Sequence, residues 1–195
     1  VCSSDLPENR QAAERELVRG GFADQPLEPL LEGLERLRHT PFGGDLGGWS
    51  LAQLPKRQRL NEMAFDLSLE LVRAADLATV FKAHPGGCCD AGYVERLKAL
   101  PVASRGFLTG SIDLTCPIPH RDGTSRWWVI DWKSNWLGPP AAQGAPGLCG
   151  PRFYGPEAMA GLMAASHYPL QAHLYLVALH RYLGWRHNPR EQYLL

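Results

Sequence analysis

Two alternating segments, over residues 107–116 and 126–134, constrain the fold of this chain more than any other feature. In the first segment the even positions are apolar, as expected for a β-strand that buries one face. The second segment is rich in aromatic and β-branched residues, which favour strands. An Asp-Gly pair at residues 122–123 lies between them and is typical of a tight hairpin turn. The sequence therefore predicts a β-hairpin.

Two acidic side chains and a lysine lie on the two predicted strands of this hairpin, and the pleat can place both acids on one surface. Asp113 is on the face opposite the apolar positions, and Asp131 and Lys133 share one face of the second segment because strand side chains alternate. A hairpin brings Asp113 close to Asp131. Two carboxylates and a main-chain carbonyl form a hard oxygen site suited to Mg²⁺ or Mn²⁺. We therefore predict a site for metal-dependent phosphodiester cleavage.

The Asp-x-Lys tripeptide alone is a weak indication, because composition predicts it about 0.2 times in a chain like this one. For either acid taken alone, the alternative is a strand-end carboxylate that caps a turn or pairs with an arginine. The metal hypothesis therefore depends on the two hairpin segments together with a third, helical segment.

The third segment places an amide and a phenol on one helix face. Gln171 and Tyr175 are four residues apart in a stretch with helical periodicity. Leu170, Leu174 and Val177 are predicted to form the apolar stripe that faces the core. For Tyr175 alone, the better alternative is a core aromatic whose hydroxyl has a hydrogen-bond partner.

The remaining periodicity and turn residues predict an α/β domain. Helices are predicted near residues 8–19, 27–38, 70–82, 91–99, 156–166 and 169–184, and strands near 61–68, 106–117 and 126–134. The Gly- and Pro-rich stretch from residue 136 to 156 is predicted to be a long surface loop beside the site, suited to act as a flap over substrate.

Several segments together resemble a known nuclease family. They are Gly106–Leu114, Val129–Gly138, Tyr154–Met159, His167–Gln171 and Tyr175–Leu183, with Glu62–Phe65 upstream. From about Arg15 onward the chain resembles the C-terminal nuclease domain of the RecB family, the beta subunit of bacterial exodeoxyribonuclease V. The run Asp-x-Lys-Ser-Asn-Trp-Leu-Gly at residues 131–138 is highly specific to that family.

The resemblance implies a fold and a metal site. The fold is a PD-(D/E)xK restriction-endonuclease-like core, an α/β arrangement in which helices flank a central mixed β-sheet. Asp113 and Asp131 would ligate one catalytic Mg²⁺ per subunit, with Mn²⁺ as a substitute. Lys133 would orient or activate the attacking water.

The resemblance also implies supporting residues, an activity and partners. Gln171 and Tyr175 would support the site and contact DNA, and Glu62 would be an acidic residue important to the active site. The implied activity is that of a metal-dependent DNA exonuclease domain in a RecBCD-type helicase–nuclease, acting in double-strand break repair, homologous recombination and linear DNA degradation. Its partners would be DNA, RecC, RecD and RecA. No Gly-x-x-x-x-Gly-Lys phosphate loop is present, so ATP-driven unwinding is expected of a helicase portion outside this chain.

Two departures from the family pattern leave an alternative function open. The family's further metal ligand is a histidine on an early helix, and neither His39 nor His84 lies at a corresponding place. The chain also stops before the family's closing strand, so residues 7–195 are interpreted as a nuclease domain truncated at both ends. The alternative is a catalytically incomplete interaction module that docks RecA or RecC and RecD.

The first six residues, Val1–Leu6, are interpreted as non-native sequence. Their codons can be written as the end of a common sequencing adapter. Genuine upstream sequence continuing in the same frame would refute this interpretation.

Composition limits the remaining possibilities. At 195 residues and 45% hydrophobic, the chain is long enough to bury a sizeable core. Zero net charge argues against bulk electrostatic attraction to DNA, so any DNA contact must be local. The five cysteines, including the adjacent Cys88 and Cys89, lack the spacing of a zinc or iron–sulfur site. No apolar run reaches transmembrane length and no signal peptide is evident, so we expect a cytoplasmic protein without membrane contact.

Overall fold

The computed structural model describes residues 6–85, 91–120, 122–140, 147 and 149–186. Within these ranges the predicted α/β class is confirmed, with six α-helices and three β-strands. The helices are α1 (Leu6–Arg19), α2 (Leu27–His39), α3 (Ala74–Ala83), α4 (Ala91–Lys98), α5 (Pro156–Ala165) and α6 (Tyr168–Arg186), and the strands are β1 (Leu60–Arg73), β2 (Ala103–Pro119) and β3 (Ser125–Ile130). In the same ranges, no helix combines the length and apolarity needed to cross a membrane.

Four of the sequence predictions fall wholly or partly on other parts of the chain. Residues 1–5 of the suspected non-native hexapeptide, the Cys88–Cys89 pair, residues 141–146 and 148 of the predicted surface loop, and the chain end after residue 186 lie outside the described residues.

The three described strands form one antiparallel sheet in the order β1-β2-β3. The β1–β2 register runs from Leu60 opposite Thr115 to Leu69 opposite Gly106, and an irregularity follows before Val72. Helices α3 and α6 both contact β1. This arrangement of a sheet with packed helices is compatible with an α/β nuclease-like core.

The predicted hairpin between β2 and β3 is confirmed, and its turn has the predicted chemistry. Gly123 has a φ of +82°, a conformation that glycine adopts without steric cost. The main-chain N–H and the hydroxyl of Thr124 both donate to Asp122 Oδ1, at 2.9 and 2.5 Å. These two hydrogen bonds, with smaller effects from His120 and Arg126, hold the pKa of Asp122 well below its usual value.

The chain divides into two compact units. The first consists of residues up to Arg59 together with Cys116–Arg126, and the second of Leu60–Thr115 together with the chain from Trp127 onward. In the first unit, an ion pair between Arg10 Nη1 and Glu28 Oε1 (2.5 Å) joins α1 to α2. No residue of α2 is buried, although its leucines follow a helical stripe.

The second unit has two clusters of buried side chains. One cluster joins the sheet to α6 and contains Met63, Leu67, Ile112, Tyr175, Ala178, Leu179 and Leu183. The other joins α3 to α4 and contains Ala78, Phe81, Tyr93, Val94 and Leu97. The described ranges that carry the predicted site all belong to this unit.

The predicted core stripe of α6 is right for Leu170, which packs against the cluster between α3 and α4, and wrong for Val177, which is 44% exposed. The buried side chains of the helix are instead Tyr175, Ala178, Leu179 and Leu183. Apolar residues occupy most sides of this helix, so its periodicity does not select a face. The sheet selects the face that contains Tyr175.

Candidate active site

Asp113 lies in the middle of β2 on the face predicted for it. Its neighbours Ile112 and Leu114 are buried, at 0% and 6% exposure. Its Oδ2 atom accepts a hydrogen bond from the main-chain N–H of Trp132 at 2.7 Å. The carboxylate therefore ties β2 to the segment that follows β3, one residue from Asp131.

Asp131 and Lys133 lie beyond β3 rather than on it, so the strand predicted to reach residue 134 is too long. β3 ends at Ile130, and residues 131–137 have no regular secondary structure. In a continuing strand, the main-chain N–H of Trp132 could donate to a carbonyl group of the neighbouring strand. Here it donates to the Asp113 carboxylate instead. Lys133 Nζ nevertheless forms an ion pair with Asp131 Oδ2, and their side chains are 32% and 19% exposed. Asp131 and Lys133, predicted to share one face, are therefore in contact.

Helix α6 supports Lys133 through a short chain of contacts. Lys133 Nζ donates to Gln171 Oε1 at 2.8 Å and lies 4.3 Å from the ring centroid of Tyr168. Gln171 Nε2 in turn donates to Tyr175 Oη at 2.7 Å. The Tyr175 ring is 8% exposed and packs edge-on against Phe65, with centroids 5.8 Å apart. Tyr175 is thus both a core aromatic and the anchor of the Gln171 amide.

Gly110 on β2 makes room for the ring of Phe65. A Cβ atom at residue 110 would lie 2.5 Å from Phe65 Cζ and 2.9 Å from Cε1. Any larger residue would displace this ring, which packs against Tyr175. A glycine inside a strand is the sequence feature that could have revealed this close approach.

Glu62 lies on β1, at the level of Asp113 in the ladder. The pairs Asn61–Leu114 and Met63–Ile112 bracket both acids. Glu62 has a φ of +49°, a left-handed conformation that costs a non-glycine residue about 1–2 kcal/mol. Its Oε2 atom accepts a hydrogen bond from Ser111 Oγ at 3.1 Å. The structure thus places Glu62 at about the same position along the sheet as Asp113, where it is hydrogen-bonded to Ser111.

The donor chemistry of Asp113 and Asp131 suits Mg²⁺ or Mn²⁺, which prefer carboxylate oxygens. One oxygen of each carboxylate already contacts a protein donor, Trp132 N–H or the Lys133 ammonium. Among the residues that the structure describes, no three His, Cys, Asp or Glu side chains converge as a metal site would require. A metal ion held by Asp113 and Asp131 would therefore need a further ligand.

The sequence patterns did not single out Tyr168 and Asn135. Tyr168 Oη donates to Asn135 Oδ1 at 2.9 Å, and its ring faces Lys133. The spacing of Tyr168 and Gln171, three residues apart on one helix, is the pattern that could have indicated a shared contact.

Two cysteines in the described ranges have opposite environments. Cys116 is 0% exposed, and burial raises the pKa of its thiol to about 11. Cys149 lies 3.2 Å from Tyr154 Oη, and this hydrogen bond lowers the pKa of the Cys149 thiol. The same contact raises the pKa of the Tyr154 hydroxyl.

We expect iodoacetamide to alkylate Cys149 at least about 100-fold faster than Cys116 in the folded protein near neutral pH. Only the thiolate reacts, and two units of raised pKa reduce its population at Cys116 about 100-fold even before burial limits access. Peptide mass spectrometry at several reaction times measures both rates. In denaturant the two rates should converge, and equal rates in the folded protein would contradict the assigned environments.

Comparison with known proteins identifies the family. No family model matches the chain. The chain is 35% identical over 170 residues to RecBCD enzyme subunit RecB of Mycobacterium tuberculosis (strain ATCC 25618 / H37Rv). The aligned region covers 80% of this chain and 14% of that protein. The RecB subunit of Escherichia coli (strain K12) is 34% identical over 174 residues, covering 87% of this chain and 13% of its own length. The RecB subunit of Mycolicibacterium smegmatis is 34% identical over 169 residues, covering 80% and 15%. This chain is thus homologous to a small part of much longer proteins and belongs to the RecB family.

Proposed function

We propose that this chain hydrolyses phosphodiester bonds in DNA with a divalent cation held by Asp113 and Asp131. The observation that carries the proposal is that two contacts link three charged residues through one short segment. The Lys133 ammonium pairs with the Asp131 carboxylate, and the Asp113 carboxylate accepts a hydrogen bond from the main-chain N–H of Trp132, the residue between Asp131 and Lys133. A docking surface has no need for an aspartate–lysine pair tied in this way to a second carboxylate.

The roles of the side chains follow from their charges and contacts. Asp113 and Asp131 supply the negative charge that holds the cation, which when bound would polarise the phosphate and acidify a water molecule. Lys133 is a compact cation on a flexible stem and donates N–H groups to a phosphate oxygen or to the attacking water. Gln171 fixes the direction of that ammonium through its 2.8 Å hydrogen bond. The positive charge then faces the phosphorus centre, where negative charge develops during cleavage.

The wider role follows from the names of the relatives. They are RecB subunits of the RecBCD enzyme. We propose that this chain serves as the exonuclease part of such a helicase–nuclease, in double-strand break repair, homologous recombination and degradation of linear DNA. RecC, RecD and RecA are the proposed protein partners. ATP-driven unwinding would belong to other parts of the longer polypeptide.

Calorimetric titration of this chain with Mn²⁺ tests the metal site. We expect weak binding, with a dissociation constant of about 10⁻⁴–10⁻³ M, because two carboxylates are a sparse ligand set. Asp113→Ala should abolish this binding. Asp66→Ala is the matched control, since Asp66 is an exposed aspartate on the adjacent strand, opposite Thr109, and should leave binding unchanged.

Two results would overturn the metal assignment. Undiminished Mn²⁺ binding by the Asp113→Ala variant would place the cation elsewhere. Cleavage of linear DNA that persists in excess EDTA would show that hydrolysis needs no divalent cation. Tight stoichiometric binding by the unaltered chain would show that another residue completes the ligand set.

A second candidate is an interaction module that docks RecA or RecC and RecD. The exposure of large aromatic side chains beside the site favours it: Trp132 is 49% exposed and Trp136 55% exposed. Such patches often mark surfaces that bind other proteins. Under this alternative, Trp132→Ala and Trp136→Ala would weaken subunit binding, and Asp113→Ala would leave DNA degradation unchanged.

A further inference from the structure

We propose that Tyr168 and Asn135 form a clamp that positions Lys133 for hydrolysis. The ring of Tyr168 supports the ammonium, and Asn135 holds the hydroxyl of that ring. This inference rests on the proposed function and adds two positioning residues to it.

The first observation is the placement of the Lys133 ammonium against the Tyr168 ring. Nζ lies 4.3 Å from the ring centroid, well within the range of a cation–π interaction. A lysine side chain loses rotamer entropy when it is held in one geometry. Because the Lys133 side chain is 32% exposed, water competes for its ammonium and a single contact would hold it poorly. The ring therefore restricts the directions that the ammonium can take.

The second observation is that Asn135 is held at two points. Tyr168 Oη donates to Asn135 Oδ1 and Tyr154 Oη donates to the main-chain oxygen of Asn135, both at 2.9 Å. Residues 131–137 have no strand or helix to order them. The two tyrosine hydroxyls fix this irregular segment two residues after Lys133.

The third observation is that one face of α6 contacts the same ammonium twice. Tyr168 and Gln171 are three residues apart, so their side chains point to the same side of the helix. Gln171 Oε1 accepts one N–H of Lys133, and Asp131 is paired with the same ammonium. Two of the three N–H groups of the ammonium thus have partners, which leaves the third to donate to an oxygen of the substrate.

Kinetics of DNA hydrolysis separate positioning from binding. We expect Tyr168→Leu to lower kcat about ten-fold, because the Lys133 ammonium would no longer be held in the direction that the chemical step needs. KM for DNA should change less than about two-fold, because DNA binding does not depend on that direction. Tyr168→Phe keeps the ring but loses the hydrogen bond to Asn135, and it should lower kcat only about three-fold. Tyr182→Leu is the matched control, since its ring also faces a cation on α6, with the Arg186 guanidinium 5.6 Å away. It should leave kcat unchanged.

Nuclear magnetic resonance gives a readout that does not depend on activity. The chain has four lysines, at positions 56, 82, 98 and 133, so the Lys133 resonances can be assigned from its Lys133→Arg variant. We expect ring-current shielding to move the ε-methylene protons of Lys133 upfield of those of Lys98. This shift should persist in Tyr168→Phe and Tyr182→Leu and disappear in Tyr168→Leu.

A double-mutant cycle tests the role of Asn135. Tyr168→Phe and Asn135→Ala remove the same hydrogen bond from its two ends, so the double variant should lose no more kcat than the larger single loss. Fully additive losses would overturn the clamp.

The outcomes separate the two proposals. If Lys133→Ala keeps full activity, the proposed function fails. If Lys133→Ala loses activity but Tyr168→Leu keeps both its kcat and its KM, only the clamp fails, whether or not the lysine shift is lost. If Tyr168→Leu raises KM and leaves kcat unchanged, Tyr168 binds DNA and does not position Lys133.

Discussion

Lys133→Ala is expected to lower the rate of Mg²⁺-dependent DNA degradation by about 10³-fold or more in the longer polypeptide proposed to carry this chain. Loss of one preorganised donor at a site of developing charge costs about 10²–10³-fold. Lys133 is also the group that joins Asp131 to Gln171, so its loss leaves the Asp131 carboxylate without its cationic partner. Asp131→Ala should reduce the rate to a similar extent because it removes a proposed metal ligand.

The measurement is release of acid-soluble nucleotides from linear duplex DNA, with unwinding followed separately on the same substrate. Unwinding should continue at its normal rate in both variants. Because Lys133 and Asp131 act as one unit, the double variant should be little slower than either single variant. Lys98→Ala is the control: this lysine pairs with Glu95 on α4 (2.6 Å), and its loss should leave nuclease activity unchanged. Normal nuclease rates in Lys133→Ala would move the site elsewhere.

Leu179→Ala is expected to lower the free energy of unfolding by about 2–5 kcal/mol. Leu179 is 0% exposed and lies in the cluster that joins α6 to the sheet, so its truncation leaves a cavity at their contact. The same cluster contains Tyr175, which accepts the hydrogen bond from Gln171. A loosened α6 should therefore also weaken the support of Lys133.

Urea denaturation followed by circular dichroism measures this loss. Leu176→Ala is the matched control on the same helix: its side chain is 38% exposed, so the variant should lose less than about 1 kcal/mol. Equal losses for the two variants would show that α6 does not bury the Leu179 face against the sheet.

The outline of the candidate site could be predicted from local sequence patterns. Alternation placed Asp113 on the polar face of β2, and the buried Ile112 and Leu114 confirm it. The Asp122-Gly123 turn joined the two strands as expected. The four-residue spacing of Gln171 and Tyr175 correctly indicated that they meet on one helix face. These features depend on residues near one another in the chain, where backbone geometry alone sets the direction of each side chain.

Other features depend on contacts between distant segments, and local patterns do not contain them. β1 continues to Arg73, where a helix was predicted from about residue 70, because Val72 and Arg73 pair with Ser104 and Ala103. Leucine and glutamate favour helices, but strand pairing overrides that weak preference.

Sequence alone thus determined the hairpin, the polar face of Asp113 and the helical pairing of Gln171 with Tyr175. Tertiary structure decided where β3 ends and which side of α6 is buried. It also decided that the Tyr168 ring lies against Lys133 while its hydroxyl donates to Asn135. The physical reason is the separation along the chain of the residues involved. Periodicity reports the direction of a side chain relative to its own backbone, whereas a contact with another segment depends on how that segment packs.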